Sequence, residues 1–552
     1  MRRASIGWLG AGLAASTWIA AGALGCSSKG TVSSGGAGGE AATGSTASSG
    51  STGSTASAGG SSTGSGTTTS SGTGGTAVVG DSVLMHHKNL NRDGVYVEPA
   101  LTKAAAAGLT RDPTFNVTLP DPNDLVYAQP LFLDGGATGK DLVFVVTEAN
   151  NVYALDGASG AVVWKKNVGV PVPLAKMPCG NIDPYGITGT PVIDFPSRTL
   201  FFDAMNTPDG GTTLHHQIFA LSIDDGSIRT GWPVDVGAKA KSGATTFNVA
   251  PQGERGALAV LGGTLYVSYG GLYGDCGDYH GWVVAVPLAD PTTVQAWATT
   301  AQAGGSWAMG GVTSDGTNLY IGTGNTMGAN GVWGGGDAII RFTPGATFPG
   351  ATPEYWSPKN WVTLDNQDLD MGSAPIVFNL PGATPQQLAL IFGKDGNAYL
   401  ANPNNLGGVS DPLATFKAAT NEIICAPALY TTSTATYVAY KGAGAKCTTG
   451  SGAVSTLKIV PGSPPTLAGS WCAPGGNSSP MVTTSDGTHD VIVWSPGSES
   501  DMLLHGYDGD TGAVVFGGGG VKIPNMRRYN TPIAAKGRIF VAADFTVVAF
   551  KP

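Results

Sequence analysis

The chain has 552 residues, 41% hydrophobic and only 12% charged, with 85 Gly and 35 Pro. So many turn-formers argue against long helices and for many short strands. A net charge of −9 gives no surface suited to neutralising phosphates, so nucleic-acid partners are not expected.

The N-terminus reads as a targeting segment. Arg2 and Arg3 precede an apolar stretch from Ile6 to Leu24, and Gly25-Cys26 closes it. Residues 1–25 are therefore expected to be a signal peptide, too short and too N-terminal for a good membrane span. The ending resembles a bacterial lipoprotein signal, in which Cys26 becomes the lipidated first residue and Ser27 directs it to an outer membrane. Ala23 stands where Leu is usual, and a plain secretory signal is the alternative. Residues 26–79 are almost entirely Gly, Ser, Thr and Ala. They cannot bury enough apolar surface to offset chain entropy, which predicts a disordered tether. The expected location is exported and lipid-anchored, on the periplasmic or surface side.

Five further cysteines follow: Cys179, Cys276, Cys425, Cys447 and Cys472. No CxxC or CxxCH occurs, so neither a zinc knuckle nor a covalent haem is expected. An oxidising compartment favours pairing. Cys179 with Cys276, and two of the other three, are the expected bridges.

From residue 80 onward a unit recurs. A small residue and Pro open an apolar run at Thr190-Pro191-Val192, Ala374-Pro375-Ile376, Ala426-Pro427-Ala428, Ser479-Pro480-Met481 and Thr531-Pro532-Ile533. The last four prolines are 52, 53 and 52 residues apart. Gln129-Pro130-Leu131 opens an earlier unit, and the gap before Pro375 holds two more, near Gly256 and Gly310. Four short antiparallel strands per period of about 50 residues is blade spacing. This predicts an all-β, eight-bladed β-propeller over residues 80–552. The chain stops at a third strand, Val547–Phe550, and Phe115–Leu119 is available as the missing fourth. A ring zipped in this way has no open sheet edge and needs no partner for stability, so a monomer is expected.

Ala154-Leu155-Asp156 through Ser159-Gly160 to Trp164 resembles the blade-docking motif of the pyrroloquinoline quinone (PQQ) dehydrogenases. Ala220-Leu221 with Gly226 and Trp232 is a stretched copy, and Phe516 replaces the Trp in another. The resemblance implies a quinoprotein-type ring and a cofactor site. Trp307 stands 18 residues before Asn325 of Gly322-Thr323-Gly324-Asn325, as the family's cofactor floor stands before its metal-binding Asn. Asp368-Leu369-Asp370 resembles the family's Asp-Tyr-Asp, in which the first Asp is the base. The second adds a ligand in lanthanide-using members. Lys394 falls where a Lys or Arg touches the quinone oxygens. The implied set is therefore catalytic Asp368 and Lys394, cofactor-binding Trp307, Asn325 and Lys394, and metal-binding Asn325, Asp368 and Asp370. The implied cofactors are PQQ with Ca²⁺ or a lanthanide. Oxygen ligands suit such hard cations, and a carboxylate near a substrate hydroxyl can take its proton.

Several family residues are missing. The metal-ligating Glu of the third blade is absent from Tyr273–Trp282, where Asp275 or Asp278 could substitute. The adjacent Cys-Cys pair over the cofactor is absent, Thr188 replaces an Arg, and no acid precedes Pro130. His280, beside Tyr279 and Trp282, is a further funnel acid or base by position. His215-His216 cannot ligate one ion, because neighbours on a strand face opposite ways. Two main readings follow. One is a PQQ- and metal-dependent dehydrogenase of alcohols or sugars, with a small-molecule substrate and a separate electron carrier. The other is a non-catalytic binding or scaffold propeller, like envelope assembly factors, with an envelope protein partner. A polysaccharide-acting propeller has no carboxylate pair pointing to it.

Overall fold

A computed structural model describes residues 80–136 and 139–552. The expectations for the signal peptide, Cys26 and the tether lie outside the described residues.

The repeat seen in the sequence is the blade. In the first, Leu131–Leu133, Leu142–Val146, Asn151–Asp156 and Val162–Asn167 pair antiparallel in chain order. All five residues of Leu142–Val146 are buried, because blades cover both faces of it. Both-face burial is why these strands read as unbroken apolar runs rather than alternating ones. The outer strand Val162–Asn167 faces solvent and carries Lys165 and Lys166 on its exposed edge. The same four-strand order recurs in residues 192–235, 259–298, 313–358, 376–417, 428–473 and 481–517.

The eighth sheet closes the ring. Ile533–Ala535, Arg538–Ala543 and Thr546–Lys551 supply three strands, and Thr110–Thr118 supplies the outermost. Asn116, Val117 and Thr118 pair antiparallel with Val548, Val547 and Thr546. Phe115 packs edge-on to Phe540 at 5.1 Å, inside one buried cluster shared by the first, seventh and eighth sheets. The expected closure is thus present, with its outer strand starting earlier, at Thr110.

Tryptophans lock neighbouring blades. The Trp164 indole N–H donates to the Ile223 carbonyl of the second blade at 3.1 Å. Its ring lies under Gly226, whose φ is +70° and where a Cβ would sit 2.7 Å from the ring. Trp471 repeats the contact on the seventh blade, donating to Gly509 at 2.9 Å beneath Gly512. The Gly of each tight turn serves two needs at once, a left-handed φ and room for an indole. Two disulfides, Cys179–Cys276 and Cys447–Cys472, agree with the expected pairings, and Cys425 is a buried free thiol.

An irregular segment, residues 80–98, crosses the centre of the ring. Its backbone bonds the inner strands at Phe132, Ile193, Ser314, Leu429 and Thr484. Val95–Val97 adds a parallel strand beside Val482–Thr484. Arg92, 2% exposed, donates to the Leu258 and Val312 carbonyls at 2.9 Å each. His86 and His87 stack beside it, both buried and held neutral chiefly by that burial, His87 down at about 4.

Candidate functional site

Loops that precede the inner strands of most blades line one funnel. Thr188, Arg255, Trp307, Asp370, Ile424 and Arg528 each lie four to six residues before such a strand. The funnel has two lobes, of about 470 and 510 Å³. Arg255, Tyr273, Trp307, Arg528 and Tyr529 line both and form the wall between them.

The first lobe gathers every residue that the sequence assigns to the cofactor and metal. Trp307, Asn325, Asp368, Asp370 and Lys394 all line it. The helix Trp361–Gln367 ends on Asp368, which takes φ +53°, and this left-handed step turns the chain back toward the funnel. Lys394 sits in the turn after Gln387–Phe392, and its backbone N–H donates to the Asp370 carbonyl at 2.7 Å. Its ammonium is 2.8 Å from Asp368 Oδ1, 2.5 Å from Asp370 Oδ2 and 5.4 Å from the centre of the Trp307 ring. The other Asp370 oxygen accepts from the Asn325 backbone N–H at 2.5 Å. Gly324 makes this approach feasible, since a Cβ there would meet Asp370 Oδ1 at 2.5 Å and Trp307 Nε1 at 3.0 Å.

Burial pushes Asp370 up to about 6, although Lys394 and the Asn325 N–H pull the other way. Burial alone would lower Lys394, but Asp370 and Asp368 overcome it and keep the ammonium protonated beyond its ordinary range. Asp368 is the open member, with its side chain 63% exposed against 7% for Asp370.

This arrangement suits a flat ring and does not suit a hard cation. Such a cation takes about six or more oxygens. Here both Asp370 oxygens are already spent, on Lys394 and on the Asn325 N–H, and Asp368 also faces Lys394. At the carboxylates for which the resemblance implies a metal role, Asp368 and Asp370, an ammonium stands between the two, with Asn325 beside them. Tyr273, 63% exposed, occupies the neighbourhood of the missing Glu, and Asp275 accepts from the Tyr279 hydroxyl at 2.6 Å. Asp278 does not line the funnel and lies in a separate pocket with His280. Among the described residues no three His, Cys, Asp or Glu side chains group as a metal site. The Trp307 indole beside the Lys394 ammonium does offer a face and a cation for a planar, oxygen-rich ligand.

The second lobe was not read from sequence. Arg255, Arg527, Arg528, Tyr127 and Tyr529 line it, with Glu499. Arg527 is held by Asp544 at 2.7 Å and lies over the Tyr127 ring, and Arg528 is held by Glu499 at 2.7 Å. The one signal was the pair Arg527-Arg528 in a chain with only 29 Lys and Arg. Behind this lobe are two fully buried carboxyls, Glu148 and Glu254, which accept from the Gly186 and Gly189 N–H groups at 2.7 and 3.0 Å. Burial pushes Glu148 up to about 7 and Glu254 well above its usual range.

Two histidine expectations resolve differently. His280 does not line the funnel: it bonds the Thr299 carbonyl at 2.9 Å in a separate pocket of about 500 Å³. Its backbone N–H donates to the Gln252 side-chain oxygen at 3.0 Å. His215 and His216 do face opposite ways, His215 to Asp235 at 2.7 Å and buried His216 to Asp203 at 2.6 Å.

No family model matches the chain, and no curated protein matches its sequence. Solved structures match its fold. The quinohemoprotein alcohol dehydrogenase of Comamonas testosteroni superimposes with a TM-score of 0.57 at 13% identity, over 85% of this chain and 80% of that one. The shared fold is the eight-bladed β-propeller. A europium-containing methanol dehydrogenase matches at TM-score 0.48 and 13% identity, over 84% of this chain and 81% of its own. BamB from Moraxella catarrhalis matches at TM-score 0.41 and 13% identity, over 80% of this chain and 98% of its own. At 13% identity the likeness to the first of these speaks for the propeller architecture and leaves the chemistry to the funnel.

Proposed function

We propose that this protein is an exported quinoprotein-type oxidoreductase that binds a planar quinone on Trp307 and acts on small hydroxylated molecules, with no resident metal. The observation that carries the reading is the convergence of residues from three separate loops on one lobe, tied together by Lys394. PQQ is the ligand to test first. When bound, such a quinone supplies the acceptor for a substrate hydride.

The chain's own residues would do the rest. Trp307 offers the stacking face. Lys394, fixed by Asp370, presents its ammonium to ring oxygens. Asp368, exposed at the helix end and oriented by Lys394, takes the proton of a substrate hydroxyl. The sequence supports export and anchoring through Cys26 at an outer membrane, and the closed ring supports a monomer.

A second reading has one observation in its favour. Tyr273 in place of the metal-ligating Glu suits a non-catalytic binding propeller with an envelope protein partner. Titrating the full chain with PQQ, with and without Ca²⁺ or a lanthanide, separates the two. A bound quinone spectrum and dye reduction with alcohols or sugars, indifferent to metal, is the expected result. Absence of binding at saturating PQQ overturns the oxidoreductase reading. Activity that appears only with added metal overturns the metal-free site. Asp368→Asn should keep the bound spectrum and lose dye reduction.

A further inference from the structure

The second lobe has chemistry that the first does not. The chain carries net charge −9, yet this lobe presents three guanidinium groups, from Arg255, Arg527 and Arg528, against the two carboxylates of Glu499 and Asp544. Arg527 and Arg528 are each braced by an acid, Asp544 and Glu499. The Arg255 Nε is buried and has no hydrogen-bond partner. A buried donor left unpaired costs free energy, and a ligand oxygen that fills it recovers that cost. A guanidinium fork matches a carboxylate in geometry as well as charge. Glu148 offsets it only in part at neutral pH, because burial pushes that carboxyl up to about 7.

We infer that this lobe is a carboxylate subsite formed by Arg255 and Arg528, so that the molecule it takes is a hydroxy acid or sugar acid rather than a neutral alcohol. Arg255, Arg528 and Trp307 also line the first lobe. An acid group seated on the arginines therefore leaves the rest of the molecule lying across Trp307 toward Asp368. The inference rests on the funnel being the small-molecule site, and it names the substrate class of that site.

Calorimetric titration of the full chain at pH 7 tests it with three matched pairs: D-gluconate against D-glucitol, D-glucuronate against D-glucose, and L-lactate against propane-1,2-diol. The acid should bind at least about tenfold tighter than its neutral partner in one or more pairs. Arg255→Gln and Arg528→Gln should each bring the acid-to-neutral affinity ratio down to about one. Arg255→Lys should retain part of the preference. The Arg528 side chain is 55% exposed, so its replacement leaves the fold intact should Arg255→Gln not fold. Equal binding in all three pairs, or a preference that survives both Gln variants, overturns the inference. PQQ binding is followed separately by its absorbance. Quinone binding without acid preference overturns the subsite alone. Acid preference without quinone binding upholds the subsite and overturns the oxidoreductase reading.

Discussion

Lys394 bridges two carboxylates of different character, buried Asp370 at 2.5 Å and open Asp368 at 2.8 Å. The buried arm fixes the ammonium in place. The open arm is the one that can meet a ligand.

Breaking the buried arm should be costly. Lys394→Met leaves Asp370 without its cation, and such losses run to about 3 kcal/mol. Denaturant unfolding at pH 8 should show that loss. At pH 5, where Asp370 takes up a proton, the loss should shrink. Asp368→Asn, at a solvent-exposed carboxylate, should change stability by less than about 1 kcal/mol.

The funnel should bind anions more tightly in acid. Asp370 titrates at about 6, raised from the ordinary carboxylate value by burial. Below that pH it is neutral, and Lys394 is freed of one counter-charge. Affinity for an anionic ligand, measured by titration between pH 7.5 and 5, should rise as pH falls through 6. Linkage has the same sign for folding. The raised pKa contributes stability that is full below the ordinary value near 3.8 and lost as pH rises through 6.

Blade docking should be sensitive to a single methyl group. Gly226→Ala and Gly512→Ala force a β-carbon to within 2.7 and 2.6 Å of the Trp164 and Trp471 rings at positive φ. Each should cost about 2 kcal/mol or more in denaturant unfolding. Gly243→Ala, also at positive φ but with nothing within 4 Å, should cost only about 1 kcal/mol.

The two disulfides should differ in effect. Cys179–Cys276 spans 97 residues and Cys447–Cys472 spans 25. Chain-entropy arguments give the longer closure the larger stabilisation, by about 1 kcal/mol. Paired Ser variants compared by unfolding would show it. Cys425 should resist alkylation in the native protein and react once unfolded, since burial pushes its thiol up to about 11. Mass spectrometry after iodoacetamide reads this out.

Much of the ring was legible in the chain because each blade repeats the same local grammar. The Pro-led inner strands and the Trp164 turn are short-range patterns, and a fourth strand displaced to residues 110–118 follows from counting. The first lobe was legible for another reason: Trp307, Asn325, Asp368, Asp370 and Lys394 fall within two consecutive periods. The second lobe joins Arg255 to Arg528, 273 residues apart, and no local pattern links them. Lys394 was read as a quinone contact, but its ion pair with Asp370 depends on a turn geometry that spacing does not reveal. The segment 80–98 is irregular, so periodicity is silent about it.

That segment decides the traffic of the molecule. With His86, His87, Arg92 and Tyr96 buried along the axis, the ring is a cup rather than a tube. On the open side, Tyr273 and Arg528 stand exposed where a ligand enters and leaves. Reactant and product then compete for one doorway, and exchange there, rather than passage through, sets how fast the cup can be emptied and refilled.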